Sequence, residues 1–406
     1  MMVPEMQRVL IENLVRVSGG ATVFDPYVGS GTTLSEAMLQ GLDFHGVDIN
    51  PLAILLCRTK SGPFHCDALE RHAASVVDIA SADRRNTLEI SYDNWRKWFP
   101  VGPARELSRL RRAIRTLPTL QARRFFWVAL AETVRRTSNS RTSTVKLHMR
   151  SSEELRTRKI SPLAVFEQVV DRNLDSFREY ADILWEKDLL QRGFYVGTVT
   201  VDLADACDMP LYDVGFPVLV TSPPYGDNPT TVTYGQHSFL PLHWIDLEDI
   251  DPGIDAAILD TTWEIDRRSL GGVARGVWAD IPQLVERSAG LAGILRELED
   301  EPADRRRRVA TFWRDFDVAL GAIMDNLEPG ALMAWTVGSR RVGGRTVPMD
   351  RILRELFRSR GVSLVTTVKR TIPTLKKRMA SRNATADTIN SERVLIFQAP
   401  AARATT

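Results

Sequence analysis

Ser222-Pro223-Pro224-Tyr225 places a hydroxyl, two stiffened carbonyls and an aromatic ring within four residues, inside the stretch Thr221 to Pro229. Consecutive prolines hold φ near about −65° and remove two backbone donors, so these groups keep fixed relative positions. Such a set suits gripping the exocyclic amino group of a flat heterocycle while a ring stacks on its face. An amine of that kind is a poor nucleophile, because its lone pair is delocalised into the ring. The Ser222 hydroxyl and the Pro223 carbonyl can each accept one amine hydrogen, which favours a pyramidal nitrogen aimed at an electrophile. Proximity and orientation then carry much of the acceleration, without a strong base or a metal. A second group lies near the N-terminus: Asp25-Pro26-Tyr27-Val28-Gly29-Ser30-Gly31-Thr32-Thr33. Gly29 and Gly31 let backbone approach a ligand closely, and the helix that follows presents free N–H groups. Asp48, 23 residues after Asp25, ends another short apolar run and precedes Ile49.

The elements that must position these residues read as a doubly wound fold. Ala21 to Asp25 forms a buried strand, the glycine loop follows, and Leu34 to Gln40 has helical spacing that stops at Gly41. Asp43 to Ile49 is a second strand, and Asn50-Pro51-Leu52-Ala53 opens the next helix. Strand, glycine loop and helix make the first unit of a Rossmann-like domain, where ligands sit at the carboxyl ends of strands. The loop lacks the third glycine of a dinucleotide fingerprint and no Gly-Lys-Ser/Thr follows, which argues against NAD and against a nucleoside triphosphate. Phe216 to Val220 is a buried strand that stops at the proline pair, and Gly197 to Val201 is a strand before it. Arg305 to Leu327 is an amphipathic helix ending at Glu328-Pro329-Gly330. Ala331 to Val337 is a strand, Met349 to Arg360 a helix, Ser363 to Val368 a strand and Glu392 to Phe397 the last strand. The expected class is α/β, a mostly parallel sheet with an antiparallel final strand and two mainly helical inserts.

The nine-residue stretch resembles the Ser-Pro-Pro-Tyr signature of the amino-methylating DNA methyltransferases, which act on cytosine N4 or adenine N6. Asp-Pro-Tyr-x-Gly-Ser-Gly-Thr-Thr is similar to the S-adenosylmethionine motif of the same family. The resemblance implies a Rossmann-like class I methyltransferase fold and assigns Ser222, Pro223, Pro224 and Tyr225 to the target amine. It assigns the cofactor to Asp25, Pro26, Tyr27, Gly29, Ser30, Gly31, Thr32, Thr33, Asp48 and Ile49, with Asp48 accepting the ribose hydroxyls. In related enzymes an Asp-Ala pair just before the catalytic strand lies beside the cofactor adenine, which nominates Asp205 and Ala206. Serine in the first position leans towards cytosine N4. The target atom is hidden in duplex DNA, so the double-stranded substrate must present a flipped base. Cofactor motif first and catalytic motif later matches one of the circularly permuted groups. Related chains carry a further stretch before the helix at Met6, so either the start is truncated or another segment covers that end of the pocket. A role in restriction–modification or defence implies a cognate restriction endonuclease. Adenine-N6 methylation of DNA, or methylation of a guanine amino group in tRNA, are the alternatives.

The division expected is 1–66 for the cofactor half, 67–195 for a basic helical insert, and 196–228 for the catalytic-loop half. An acidic helical insert spans 229–308, the remaining core 309–400, and a tail 401–406. The net charge of +2 hides strong segregation: Arg96 to Lys159 holds 17 basic against 4 acidic residues, and Val201 to Asp300 holds 5 against 18. From Arg340 to Arg382 the count is 13 basic against 2 acidic. Basic blocks of this kind suit a phosphate backbone, and Arg135, Arg136, Arg141 and Lys146 sit in a small polar stretch that nominates them for DNA contact. The bland alternative is that basic helices neutralise the acidic insert. Trp95, Trp98, Phe99, Phe125, Phe126 and Trp127, interleaved with arginines, are either core or stacking platforms. The opening of the second insert, Thr230 to Gln236, is near enough in sequence to cover a base held at the catalytic loop. At 44% hydrophobic and 26% charged residues, the composition is that of a soluble globular protein. No apolar run approaches the roughly 18 residues of a membrane span, and no signal peptide opens the chain. Cys57, Cys66 and Cys207 form no Cys-x-x-Cys pair, so a cytoplasmic protein without zinc is expected.

Overall fold

In a computed structural model of the chain, residues 3–227, 231–371 and 391–401 are described. Two compact units emerge: Met1–Ile49 with Val199–Val232 and Asp266–Thr406, and Asn50–Thr198 with Thr233–Ile265. The acidic stretch is thereby shared, residues 233–265 belonging with the helices of the second unit and 266–308 with the first. Asn228, Pro229 and Thr230, residues 372–382 of the last basic stretch, and 402–406 of the tail lie outside the described residues.

The first unit is built on a seven-stranded sheet. Its strands are β1 (Thr22–Asp25), β2 (Asp43–Asp48), β3 (Val199–Leu203), β4 (Phe216–Thr221), β5 (Leu327–Gly338), β6 (Ser363–Thr371) and β7 (Ser391–Gln398). They lie in the order β6-β7-β5-β4-β1-β2-β3. All pair in parallel except β7, which runs antiparallel between β5 and β6. This is the Rossmann-like class I methyltransferase fold, and its topological switch point falls between β1 and β4. Helices cover both faces of such a sheet, so its central strands lose the alternation of a half-exposed strand. All six residues of β4 are buried. Pro217 cannot donate to the ladder, and the register with β5 shifts between Phe216 and Val218. The core on one face joins Leu219, Met333 and Trp335 of the sheet to Phe312, Phe316 and Leu320 of the helix Ala303–Asp325 and to Phe357 of Met349–Arg358.

Two local differences from the sequence reading have clear causes. β5 begins at Leu327 rather than Ala331, because Leu327 pairs with Phe216 before the irregularity and the Gly330 N–H bonds the Pro400 carbonyl. A short hairpin, Arg340–Val342 with Arg345–Val347, follows β5 where no element was expected. Its two-residue turn, Gly343-Gly344, has φ of +56° and +75°, the left-handed pair that matches strand twist.

The second unit is helical. Pro51–Lys60, Cys66–Ala82, Val101–Arg115, Leu120–Thr137 and Pro162–Glu186 pack with the shorter Tyr234–Leu242 and Leu247–Ile250. Asn50 caps the first of these, its side chain accepting from the Leu52 N–H, with Pro51 at the position that needs no donor. Trp95, Trp98, Phe99, Phe125, Phe126 and Trp127 are all buried, so the aromatics are core rather than stacking platforms. Phe99 meets Trp244 edge-on at 5.4 Å between centroids. Among the described residues no helix is long and apolar enough to cross a membrane.

Candidate active site

Three carboxylates stand at the carboxyl ends of three neighbouring strands of the first unit. Asp25 ends β1, Asp48 ends β2, and Asp205 follows β3 by two residues. Val28 N–H bonds the Val47 carbonyl and Ala204 N–H bonds the Asp48 carbonyl, so backbone fastens the three loops to one another. Gly29 and Gly31 adopt φ of +51° and +76°, conformations that side chains resist. The turn they make aims the Gly29 N–H at Asp48 Oδ2, 2.9 Å away. Gly31 then starts the helix Thr32–Met38, with Thr33 buried in its first turn and Ser30 exposed in the loop.

Asp25 is fully buried. Its Oδ1 accepts from the Tyr27 N–H at 3.1 Å and from the Thr221 hydroxyl at 2.5 Å. Burial pushes its carboxyl up to about 6, hydrogen bonds from Thr221, Thr33 and Tyr27 offsetting part of that rise. Asp205 Oδ1 accepts from the Cys207 N–H at 2.9 Å, and burial raises its carboxyl too. The Tyr27 phenol lies near Asp205, Cys207 and Asp25, and burial raises it well above the usual range. Its hydroxyl is buried with no hydrogen-bond partner among the described residues. Pro26 and Ala206 are buried and Ile49 is half-buried. The sequence-nominated cofactor residues therefore gather at one end of the sheet.

The proline loop leaves β4, the strand hydrogen-bonded to β1. Ser222 Oγ donates to the Thr336 carbonyl at 3.2 Å and lies 3.2 Å from the Tyr225 hydroxyl. Tyr225 donates to Glu392 Oε1 at 3.4 Å, and Glu392 is held by Arg370 at 2.7 Å. The Tyr225 ring rests on Gly338, where any Cβ would overlap it, and remains half-exposed. Pro223 is buried and Pro224 half-buried. Beyond the loop, buried Asp227 pairs with buried Arg340, whose guanidinium lies against Gly226. Thr336, Gly338, Arg340, Arg370 and Glu392 escaped the sequence reading because each lies over a hundred residues from the loop. The Val-Gly-Gly-Arg turn after Arg340 was a legible hairpin signal that could have drawn attention to it.

In the second unit the four nominated basic residues differ in availability. Arg135 is half-buried and burial lowers its guanidinium. Arg136 donates to Gln168 at 3.5 Å, Arg141 faces Glu154 at 3.8 Å, and Lys146 is exposed. Gln236 accepts from the Leu147 N–H at 3.1 Å, fixing the loop that carries Arg141 and Lys146. Other arginines of the basic segment are spent internally. Arg111 and Arg115 hold Asp246, and Arg123 holds Asp249 at 2.8 Å. The bland reading of the charge segregation is thus correct for these residues. His243 stacks on Tyr92 at 3.9 Å between centroids, and burial lowers both His237 and His243 to about 4. Among the described residues no cluster of His, Cys, Asp or Glu could hold a metal ion.

No protein-family model matches the chain. It is 28% identical to the Type II methyltransferase M.MvaI of Kocuria varians over 97% of its own length and 86% of that protein. A shorter match, 33% identical over 76 residues, joins it to the Type II methyltransferase M.BsoBI of Geobacillus stearothermophilus, covering 18% of this chain and 15% of that one. Two solved structures of the rRNA methyltransferase aviRa from Streptomyces viridochromogenes resemble it with TM-scores of 0.30 and 0.28. Their identities are 10 and 12%, over 98 and 97% of this chain and 85 and 84% of theirs. Likenesses of that size carry no argument.

Proposed function

We propose, from the premise that this chain belongs to the amino-methyltransferase family, that it is a site-specific DNA methyltransferase acting on an exocyclic amine, with cytosine N4 as the favoured target. One observation carries the reading: the cofactor-type loop and the proline loop leave adjacent parallel strands, β1 and β4. The Thr221 hydroxyl ties them through Asp25. Neighbouring strands lie about 4.8 Å apart, so two ligands held at these strand ends would be held side by side. The Type II relatives support DNA as the substrate class and a restriction–modification setting; a cognate endonuclease is part of the proposal only.

S-adenosylmethionine fits the residues at the ends of β1, β2 and β3. A ribose would be held by Asp48, an adenine by Asp205 and Ile49, and the methionine end by the glycine loop with Asp25, Tyr27 and Thr33. The buried Tyr27 hydroxyl, without a partner among the described residues, and the left-handed glycines are features that a bound ligand would explain. When bound, this cofactor supplies an electrophilic methyl on a positive sulfur. The chain's own task is to present the nucleophile. With its proton directed at the Thr336 carbonyl, Ser222 Oγ is left to accept an amine hydrogen, and the Pro223 carbonyl accepts the second. Tyr225, braced from behind by Gly338, offers its ring to a flipped base. Arg136, Arg141 and Lys146 are proposed contacts to the phosphate backbone, with half-buried Arg135 contributing less.

The test is direct. Purified protein, unmethylated phage DNA and S-adenosylmethionine carrying a labelled methyl are incubated, and the DNA is digested to nucleosides for mass spectrometry. Labelled N4-methylcytosine is expected. Labelled N6-methyladenine would keep the mechanism and change the base, and label entering tRNA but not DNA would overturn the DNA reading.

A further inference from the structure

Three alternate positions at and just beyond the end of β5 meet the proline loop. The Thr336 carbonyl accepts from Ser222, Gly338 seats the Tyr225 ring, and Arg340 pairs with Asp227. Two of these positions lie in β5 and the third opens the hairpin strand Arg340–Val342, so one continuous stretch of chain meets the loop at its first, middle and last described residues. The last of these meetings differs from the others in kind. Asp227 is 1% exposed and Arg340 9%, and the guanidinium lies against Gly226 at φ +154°, where no side chain could be accommodated. Arg308 approaches the second Asp227 oxygen at 3.7 Å. Taking an ion pair out of water seldom stabilises a fold more than apolar packing would, whereas it does hold groups in one arrangement. Its place, two residues after Tyr225, makes that arrangement the setting of the tyrosine and serine.

We propose that Arg340 is a positioning residue for the loop carrying Ser222 and Tyr225, acting through Asp227; this rests on the methyltransferase reading of that loop. A planar guanidinium can lie flat against Gly226 and still reach the carboxylate with a fork of donors, which a lysine ammonium cannot reproduce. Misplacing reacting groups by about 1 Å is enough to lower turnover roughly a hundredfold.

The experiment compares wild type with Arg340→Lys, Arg340→Met, Asp227→Asn and the Arg340→Lys/Asp227→Asn double variant. Turnover on saturating phage DNA is expected to fall by about 10²-fold in each single variant, with S-adenosylmethionine affinity by calorimetry within about twofold of wild type. The double variant should be no slower than the slower single one, because both changes break the same ion pair. Amide hydrogen exchange in a peptide spanning Ser222 to Asp227 should accelerate in Arg340→Lys, which retains the charge should Arg340→Met fail to fold. Wild-type turnover in a folded, cofactor-binding Arg340 variant would overturn the proposal. So would parallel losses of turnover, cofactor affinity and melting temperature, which mark general destabilisation. If the wild-type protein transfers no methyl to DNA, the functional reading fails. Hydrogen exchange then still decides the positioning role: unchanged exchange in Arg340→Lys would overturn it.

Discussion

Carboxylates are used in opposite ways in the helical unit and at the ends of β1 and β3. In the helical unit Asp246, Asp249 and Asp251 each meet arginine: Arg111 and Arg115 on the first, Arg123 on the second, Arg58 on the third. Each pair joins segments more than a hundred residues apart, fastening 246–251 to helices of 50–137. At the sheet ends of the other unit, Asp25 and Asp205 are held by backbone N–H groups and a hydroxyl, with no ion pair among the described residues. A carboxylate matched to a guanidinium has its acceptors committed to the fold. One that is buried without a counter-cation is costly to the fold, which is the ground for proposing Asp25 and Asp205 as ligand-side acids. The contrast separates ion-paired acids from the proposed ligand-side ones better than sequence charge does, since Asp205 and Asp246 to Asp251 share the acidic stretch Val201 to Asp300.

Four variants would break or sharpen that contrast. Asp249→Ala leaves Arg123 uncompensated and the buried Trp127 indole N–H, which donates to Asp249 at 2.7 Å, without its acceptor. It should cost about 3 kcal/mol of stability by urea unfolding, the largest effect of the set. Asp25→Asn should do the reverse. A carboxyl raised from 3.8 to about 6 by burial destabilises the folded protein once ionised. That penalty is absent below about pH 4, grows as pH rises towards 6, and is complete above it, at about 2–3 kcal/mol. The asparagine variant should therefore melt higher than wild type at pH 8, with the gap closing by pH 4. Equal melting temperatures at pH 8 would mean that Asp25 is better solvated than its burial implies. Asp48→Ala should weaken binding of S-adenosylhomocysteine by about 1.5–3 kcal/mol in calorimetry while barely moving stability, as befits an acid serving a ligand. The smallest effect belongs to Arg135, Arg136 and Arg141 replaced together by alanine. The slope of log affinity for DNA against log salt should flatten by about 2, because Arg136 and Arg141 each stop neutralising a phosphate, with half-buried Arg135 adding little. An unchanged slope, measured by fluorescence anisotropy, would place these arginines with the internally spent ones.

What was legible in the sequence was short-range. Asp25 to Thr33 reads as strand, turn and helix because glycines at Gly29 and Gly31 and an apolar strand before them are local necessities. Asp48 was found for the same reason, being the residue at which the next strand ends. The proline pair announced a stiff loop but not what stiffens its far side. Arg340 and Asp227 are 113 residues apart, and nothing in the composition around either marks it as a partner of the other. The same holds for Glu392 behind Tyr225. The basic segment from Arg96 to Lys159 was seen as a block, yet which of its arginines face carboxylates depends on how residues 233–265 return to the helices. Phe125 to Trp127 could not be sorted into core or surface by spacing, since three adjacent aromatics point in all directions around a helix; packing against Phe166 and Phe177 decided it.

The helical unit is assembled from two excursions, 50–198 and 233–265, so the chain passes between the units four times. The shorter excursion completes a core that the longer one begins: Phe125 and Phe126 pack on Phe177 and Phe166 within 50–198, whereas Phe99 meets Trp244 and Arg111 holds Asp246 across the two. A module of this kind cannot be exchanged by one recombination event without the intervening 199–232, as a single inserted loop could. Both excursions would have to travel together, with compatible arginines on one and aspartates on the other. Protein engineers grafting this unit onto another sheet would face the same constraint, and chimaeras cut at one excursion alone should fail to fold.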